Sequence, residues 1–379
     1  MKQGWQIKDF ETCIEKAKVT SKIPSSSYQE KGNYPIVSQE QELISGYWDN
    51  VDDVFKHTIP VIVFGDHTKI VKYIDFDFVI GADGVKILQP KAFLNPKFFY
   101  YWVMSVRIAS HGYARHYRYL KENKVPVPPL SEQQRIVALL DAEFAKIDAL
   151  KANAEKNLQN AKDLFQAALK KELEPKEGWE TKKVDDVSIL ITKGASPKWQ
   201  GIEYVKDNGI LFITSENVRE GYLLLSPMKY VESKFNQKQK RSVLKKNDVL
   251  VNIVGASIGR AAVFDMDIDN ANINQAVALV RCNQEEILPK YLCLFLNSSI
   301  ANDMYGLMKK DTARANLSLE NISDITLPVP SLKDQDCLID LLDELDDKCK
   351  LLQANYEKTL SLCDDLKQAL LRKAFNGEL

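Results

Sequence analysis

The chain has few of the features that announce a function. Its six cysteines (Cys13, Cys282, Cys293, Cys337, Cys349, Cys363) form no Cys-x-x-Cys pair and have no nearby histidine partner, which speaks against a zinc site and a disulfide framework. The four histidines (His57, His67, His111, His116) all fall within the first 125 residues. No Gly-x-x-x-x-Gly-Lys-[Ser/Thr] loop occurs, so the chain is not expected to be an ATP motor. It begins Met1-Lys2-Gln3 without an apolar run long enough for a signal peptide or a membrane span, so the expected compartment is the cytoplasm. Neither sign of charge dominates: 51 basic against 52 acidic side chains leave a net charge of -1.

What is present is a repeat. Residues 126–173 align without a gap on residues 328–375, with 21 identities in 48 positions, among them Pro126-Val127-Pro128-x-Leu130 against Pro328-Val329-Pro330-x-Leu332. Each copy closes a more varied segment, so the chain reads as head, stalk, head, stalk. The expected division is 1–125, 126–175, 176–327 and 328–379. The heads lean basic and the stalks acidic, with net charges of +3, -1, +1 and -4 over 1–125, 126–175, 176–330 and 331–379. Cations cluster at Arg107, Arg115, Arg118, Lys121 and Lys124 in the first head, and at Lys229, Lys234, Lys238, Lys240, Arg241, Lys245 and Lys246 in the second. A nucleic-acid footprint needs such local rather than global charge, although solvated surface faces look the same.

From Ser131 to Glu174 there is neither glycine nor proline. Apolar residues recur at heptad spacing (Ile136, Leu140, Ile147, Leu150, Ala154, Ala161, Leu164, Ala168), which predicts a long helix with a coiled-coil seam. Ser131-x-x-Gln134 reads as a capping box, with Pro175 and Gly178 as stops. The second stalk repeats the seam through Leu338, Leu342, Leu345, Cys349, Leu352, Tyr356, Cys363, Leu366 and Leu370, starting near Ser331-x-x-Asp334. Two matching stripes in one chain pack most simply on each other, and an antiparallel pairing would relate the halves by an approximate two-fold axis. Glu143, Asn157 and Thr359 interrupt the seam and could set its register.

Both heads open on Gly-Trp (Gly4-Trp5, Gly178-Trp179) and continue in short strand-like runs. These are 34–37, 61–65 and 85–88 in the first head, and 210–213, 249–255 and 276–280 in the second. Such runs, broken by turn residues, predict mixed α/β heads around a curved sheet. Each head then carries an apolar helix opened by proline, at Pro96 and Pro289, and a polar connector into its stalk, 110–121 and 308–317. Gly255-Ala256-Ser257-Ile258-Gly259 matches a nucleophile elbow, which makes a serine hydrolase using Ser257 a reading to test. It lacks a base, because every histidine lies in the other head.

The Pro-x-Pro-x-Leu-x-x-Gln segments (Pro126 to Gln133, Pro328 to Gln335), with Gly255 to Arg260, Asn274-Gln275 and Thr312-Ala313-Arg314-x-Asn316, resemble the DNA-specificity (S) subunits of Type I restriction-modification systems over essentially the whole chain. The first head departs from this pattern, with Gly65-Asp66-His67-Thr68-Lys69 at the corresponding place. The resemblance implies two mixed α/β target-recognition domains joined by two long helices in an antiparallel coiled coil. Each head would read half of a split, asymmetric double-stranded DNA site, and the helices would set the gap and dock two modification (methyltransferase) subunits. S-adenosylmethionine, ATP and Mg would belong to these and to restriction (translocase and nuclease) subunits. This chain would be non-catalytic, with no metal of its own and no membrane partner.

The expected DNA-binding residues are Lys193, Ser196, Lys198, Trp199, Arg260, Asn274, Gln275, Lys310, Thr312, Arg314 and Asn316 in the second head. In the first they are Lys22, Ser25, Tyr28, His67, Lys69, Arg115, His116 and Arg118. Such side chains neutralise phosphates or pair with base edges. A duplicated coiled-coil scaffold that binds only proteins is the competing reading.

Overall fold

The computed structural model describes residues 4–82, 84–109, 114–310 and 316–379, with the backbone alone at 309–310. Two compact units emerge: Met1–Glu155 with Glu357–Leu379, and Lys156–Tyr356. Each unit therefore holds one head, the first half of the stalk helix that follows it, and the second half of the other stalk helix.

The heads share the topology of a two-stranded ribbon and a four-stranded sheet. Directly after the Gly-Trp pair, strand Gln6–Asp9 runs antiparallel to Lys124–Val127, and Glu180–Lys183 to Thr326–Val329, with Gln6 opposite Val127 and Glu180 opposite Val329. These ribbons are two-stranded, so Pro126 and Pro328, which cannot donate to a ladder, are tolerated. An antiparallel four-stranded sheet follows in each unit. Its order is Ile14–Glu15, Val85–Pro90, Val61–Gly65, Val71–Ile74 in the first, and Ser188–Lys193, Val277–Cys282, Asp248–Asn252, Ala261–Phe264 in the second. Strands Val61–Gly65 and Asp248–Asn252 are buried at every residue, which explains their unbroken apolar runs. A further sheet in each head contains a parallel pair, Tyr34–Val37 with Phe78–Gly81 and Ile210–Ile213 with Ala271–Ile273.

Helices Pro96–Ser105 and Pro289–Leu296 pack into the cores through Phe98, Phe99 and Trp102, and through Tyr291, Leu292 and Phe295. Asn95 caps the first, accepting from the amides of Lys97 and Phe98 (2.9 and 3.0 Å). In the second unit helix Ser299–Lys310 follows.

The stalk helices are Leu130–Leu173 and Leu332–Asn376. They pair antiparallel. In the first unit Lys151 meets Asp364 (2.8 Å), Asp148 meets Lys367, and Arg135 Nη2 donates to the carbonyl of Leu379 (2.8 Å). In the second, Leu169 and Leu173 share a core with Leu338 and Leu342. The strict heptad expectation fails in part: Leu150, Leu164, Leu352 and Leu366 are 40–56 % exposed. A straight α-helix drifts about 20° per heptad, and the buried face instead follows Ile136, Leu140, Phe144, Ile147, Ala154, Ala161, Leu169 and Leu173. Cys349 and Cys363 are buried in the packing face as expected, whereas Glu143 pairs with Lys146 on its own helix (2.8 Å).

The helix starts correct another expectation. Ser331 caps the second stalk, accepting from the amide of Asp334 at 3.2 Å. The first stalk begins one step before Ser131, its opening amides (Glu132, Gln133) donating to the Pro129 carbonyl, so Ser131-x-x-Gln134 is not the cap. The decisive residue is Gln133. Fully buried, it accepts from the Asn95 amide (2.7 Å) and donates to the carbonyls of Phe93 (3.0 Å) and Pro128 (2.8 Å). Gln335 repeats this with the Leu288 amide (2.8 Å) and the carbonyls of Glu286 and Pro330 (both 2.9 Å). Among the described residues no helix is long and apolar enough to cross a membrane.

Two stability tests follow. Gln133→Leu orphans three buried backbone groups at about 1–3 kcal/mol each, so calorimetry should register a large loss, while Gln134→Leu, at an exposed site, should stay within ~0.5 kcal/mol. Ile147→Ala should cost about 2–5 kcal/mol in denaturant titrations and Leu150→Ala much less, whereas a strict heptad containing both predicts similar costs.

Candidate nucleic-acid interface

In the second head three loops meet at one backbone junction. Strands Asp248–Asn252 and Ala261–Phe264 are joined by the turn 253–260. Gly259 in this turn has φ +93°, and a Cβ there would lie 2.5 Å from the Tyr305 ring, so only glycine fits. Beneath the turn, buried Asn252 donates through Nδ2 to the Ser215 carbonyl (3.0 Å) and to Ser257 Oγ (3.1 Å). Ile253 then joins the loops: its amide donates to the Ala276 carbonyl (3.0 Å) and its carbonyl accepts from the Leu317 amide (2.9 Å). Val254 bridges to Asn316. A Cβ at Gly194 would collide with the Ile273 carbonyl, so Lys193-Gly194 lies against Asn274.

The structure thus brings Lys193, Asn274, Gln275 and Asn316 together. Lys193, Gln275 and Asn316 are exposed, and Asn274 is partly buried with Oδ1 accepting from the Ala276 amide (3.1 Å). Arg260, at the far end of the turn, has Nε 3.5 Å from a Glu220 carboxylate oxygen. Ser196, Lys198 and Trp199 lie on the segment leaving Gly194, where Lys198 and Trp199 are exposed on the 3-10 turn Lys198–Gln200 and Ser196 is partly buried. Thr312 and Arg314 lie outside the described residues, as does the side chain of Lys310.

The first head builds the same junction from different side chains. Asp66 stands where Ile253 does: its amide donates to the Gly84 carbonyl and its carbonyl accepts from the His116 amide, both at 2.7 Å. Its carboxylate accepts from the Tyr117 amide (2.8 Å) and lies 3.5 Å from Lys86 Nζ. Arg115, exposed, occupies the place of Asn316. His67 and Lys69 sit on the hairpin turn, which Gln39 braces by accepting from the His67 amide (3.2 Å) and, through its carbonyl, from Thr68 Oγ1 (2.7 Å). Lys22 and Ser25 are exposed beside this junction, for the Ala82 amide donates to the Ile23 carbonyl (2.5 Å). Arg118 is exposed, its guanidinium 4.5 Å from the Tyr119 ring centre.

Two expected contacts change role. His116 is 1 % exposed, with Nδ1 3.0 Å from the Asp66 carbonyl, so it supports the turn and cannot reach a phosphate. Tyr28 is half-buried against the Gly46 strand rather than presented on a surface. Sequence reasoning gave no role to Gln39 and Asn252, single polar residues beside strands, or to Asp66 within the Gly65–Lys69 turn, whose partners His116 and Tyr117 are distant in sequence. Much of the clustered charge is already partnered, as in Lys229 with Glu216 (2.5 Å), Lys121 with Glu11 (2.9 Å) and Lys124 with Asp9.

The hydrolase reading fails on geometry. Gly255–Gly259 is the tip of a β-hairpin rather than a strand-to-helix elbow, Ser257 Oγ is engaged by Asn252, and the unit contains no histidine. Burial pushes the Cys282 and Cys293 thiols up to about 12, which leaves them without thiolate character. Among the described residues no group of three His, Cys, Asp or Glu side chains could hold a metal.

Comparison with known proteins gives a consistent picture. The chain is 30 % identical over 285 residues to the Type I restriction enzyme EcoBI specificity subunit of Escherichia coli, covering 69 % of this chain and 60 % of that protein. It is 22 % identical over 342 residues to the EcoR124I/EcoR124II specificity subunit of the same species, covering 86 % and 82 %. The chain therefore spans less than two thirds of the first relative's length. Among solved structures, a chain described under complex assembly and conformational transition of the type I R-M system superposes with TM-score 0.73 at 17 % identity, covering 100 % of this chain and 99 % of that one. The HsdS subunit from Thermoanaerobacter tengcongensis gives 0.57 at 18 % identity, covering 100 % and 98 %. The family model for the Type I restriction modification DNA specificity domain matches twice, over residues 3–160 and 176–360, one match for each head with the start of its stalk. The duplication read in the stalks, seen again in the two junctions, is thus the family's own domain occurring twice, and the chain belongs to the Type I restriction-modification DNA specificity family.

Proposed function

We propose that this chain is the non-catalytic specificity subunit of a Type I restriction-modification complex, working in the cytoplasm. Each head, 1–125 and 176–327, reads one half of a bipartite, asymmetric duplex site. The helices 126–175 and 328–379 set the gap and dock two modification subunits. S-adenosylmethionine-dependent adenine methylation then belongs to those subunits, and ATP- and Mg-dependent translocation and cleavage to restriction subunits. The observation that most supports this reading is the junction built twice with the same backbone bonds and different exposed side chains, each bordered by cations. Lys193, Lys198 and Arg115 neutralise phosphates, while Asn274, Gln275 and Asn316 face base edges. A scaffold that binds only proteins has no use for such a pair of junctions.

Co-expression with the adenine methyltransferase encoded beside this chain, followed by single-molecule mapping of methylated adenines, should give one split motif with a fixed gap. A stable complex that methylates no motif sinks the proposal. Asn274→Ala should relax one position of one half-site by about 1–3 kcal/mol, whereas Lys193→Ala should weaken all sequences alike and flatten the salt dependence.

The stalk is read as a ruler. Four residues inserted after Ala154 and four after Tyr356, which are equivalent positions of the repeat, add about 6 Å to each helix. That is roughly two base pairs, so the mapped gap should lengthen accordingly; an unchanged gap would falsify the ruler.

A further inference from the structure

We infer that Trp199 is an aromatic wedge that stacks within the DNA bound by the second head, an inference that rests on the function proposed above. Its side chain is 82 % exposed, whereas Trp102 of the first head is 3 % exposed. An indole normally buries a large apolar area, so one left in water marks a contact surface. Among the described residues neither a ring nor a cation packs on it.

The indole stands on a fixed pedestal. The amides of Gln200 and Ile202 both donate to the Pro197 carbonyl (2.9 and 3.0 Å), and Lys238 Nζ donates to the Gln200 carbonyl (2.6 Å). Below lies a small core that includes Ile202, Phe212 and Phe235. A backbone fixed before binding loses little conformational entropy on contact, so only the side-chain torsions of the indole are left to order.

The surroundings favour DNA over an apolar protein groove. Lys198 beside it and Lys193 six residues earlier are exposed, and the same segment passes through Gly194 against Asn274, so the indole is carried on a loop of the junction. Cations flanking an exposed aromatic combine phosphate neutralisation with base stacking. An apolar side chain inserted at a base step unstacks it and kinks the duplex. In the corresponding interval of the first head the 3-10 turn is Ser25–Ser27, three exposed serines, so the wedge acts on one half-site only.

The test uses the assembled complex with its methyltransferase subunits and a duplex of the mapped target, with 2-aminopurine placed in turn through both half-sites. Apart from the adenines that the methyltransferase subunits take out of the stack, which are left unsubstituted, binding should raise fluorescence at one step in one half-site. Trp199→Ala should abolish that rise and weaken binding about tenfold, with Trp199→Phe intermediate. A Trp199→Ala complex that keeps the rise and binds within about twofold of wild type overturns the wedge and leaves the DNA reading intact. So does one that keeps its DNA affinity but no longer holds the methyltransferase, which would make this a protein-docking surface. Wild-type complex that binds no target duplex overturns both.

Discussion

One buried glutamine in each half holds a head to its stalk, and the rest of the architecture depends on it. Gln133 and Gln335 are fully buried, and each uses its amide on both sides: one backbone amide donates to Oε1, and Nε2 donates to two carbonyls. The three segments so joined are the loop before the buried head helix, the Pro-x-Pro strand end and the first turn of the stalk. Glutamate could not donate to the carbonyls, and leucine would leave all three groups orphaned at about 1–3 kcal/mol each. That is why the repeat preserves glutamine at this place while Ser131 and Lys333 nearby are free to differ. With the lock closed, the angle between a head and the start of its stalk is set by hydrogen bonds in a dry interior, where they are strong and directional.

The same economy governs the junctions. Backbone bonds carry the geometry, so the side chains can diverge. The first head buries a polar pair, Asp66 and His116, where the second buries Ile253 and Leu317, and all four are at most 4 % exposed. An apolar pair gains from burial directly. The polar pair needs hydrogen bonds instead, and most of its groups have them: Asp66 is met by the Tyr117 amide and Lys86, and His116 Nδ1 by the Asp66 carbonyl, while buried His116 Nε2 has no hydrogen-bond partner among the described residues. Two unrelated chemistries therefore support one loop arrangement, leaving the exposed positions beside them free to vary.

This explains what the sequence disclosed. Contiguous patterns were legible: the strands at 34–37 and 61–65, the helices behind Pro96 and Pro289, and both stalks with their antiparallel pairing. The seam was legible only in outline, because a heptad template cannot follow a helix that returns to near 3.6 residues per turn, and Leu150 and Leu164 fell off the buried face. His116 looked like a contact because it stands between Arg115 and Tyr117 among cations. Its burial is set by Asp66, fifty residues away, and no local pattern encodes that. Lys193 and Asn274 lie eighty-one positions apart, and only the close approach at Gly194 brings them together. Residues of one motif were placed well; residues joined across loops were not.

Charge pairing within the heads constrains how the proposed recognition can work. Lys121, Lys124, Lys229 and Arg260 already face carboxylates. Exposed pairs of this kind contribute about 0–1 kcal/mol, so they hold the cations in place only weakly. A phosphate approaching such a cation must displace or tolerate the carboxylate, whose repulsion offsets part of the gain from counterion release. A target and an off-target duplex that share these phosphate contacts bear the same penalty, and the target differs only by the base contacts it adds. Partnered lysines thus lower affinity for every sequence alike, which leaves the gap between right and wrong sites in the proposed recognition to the base contacts.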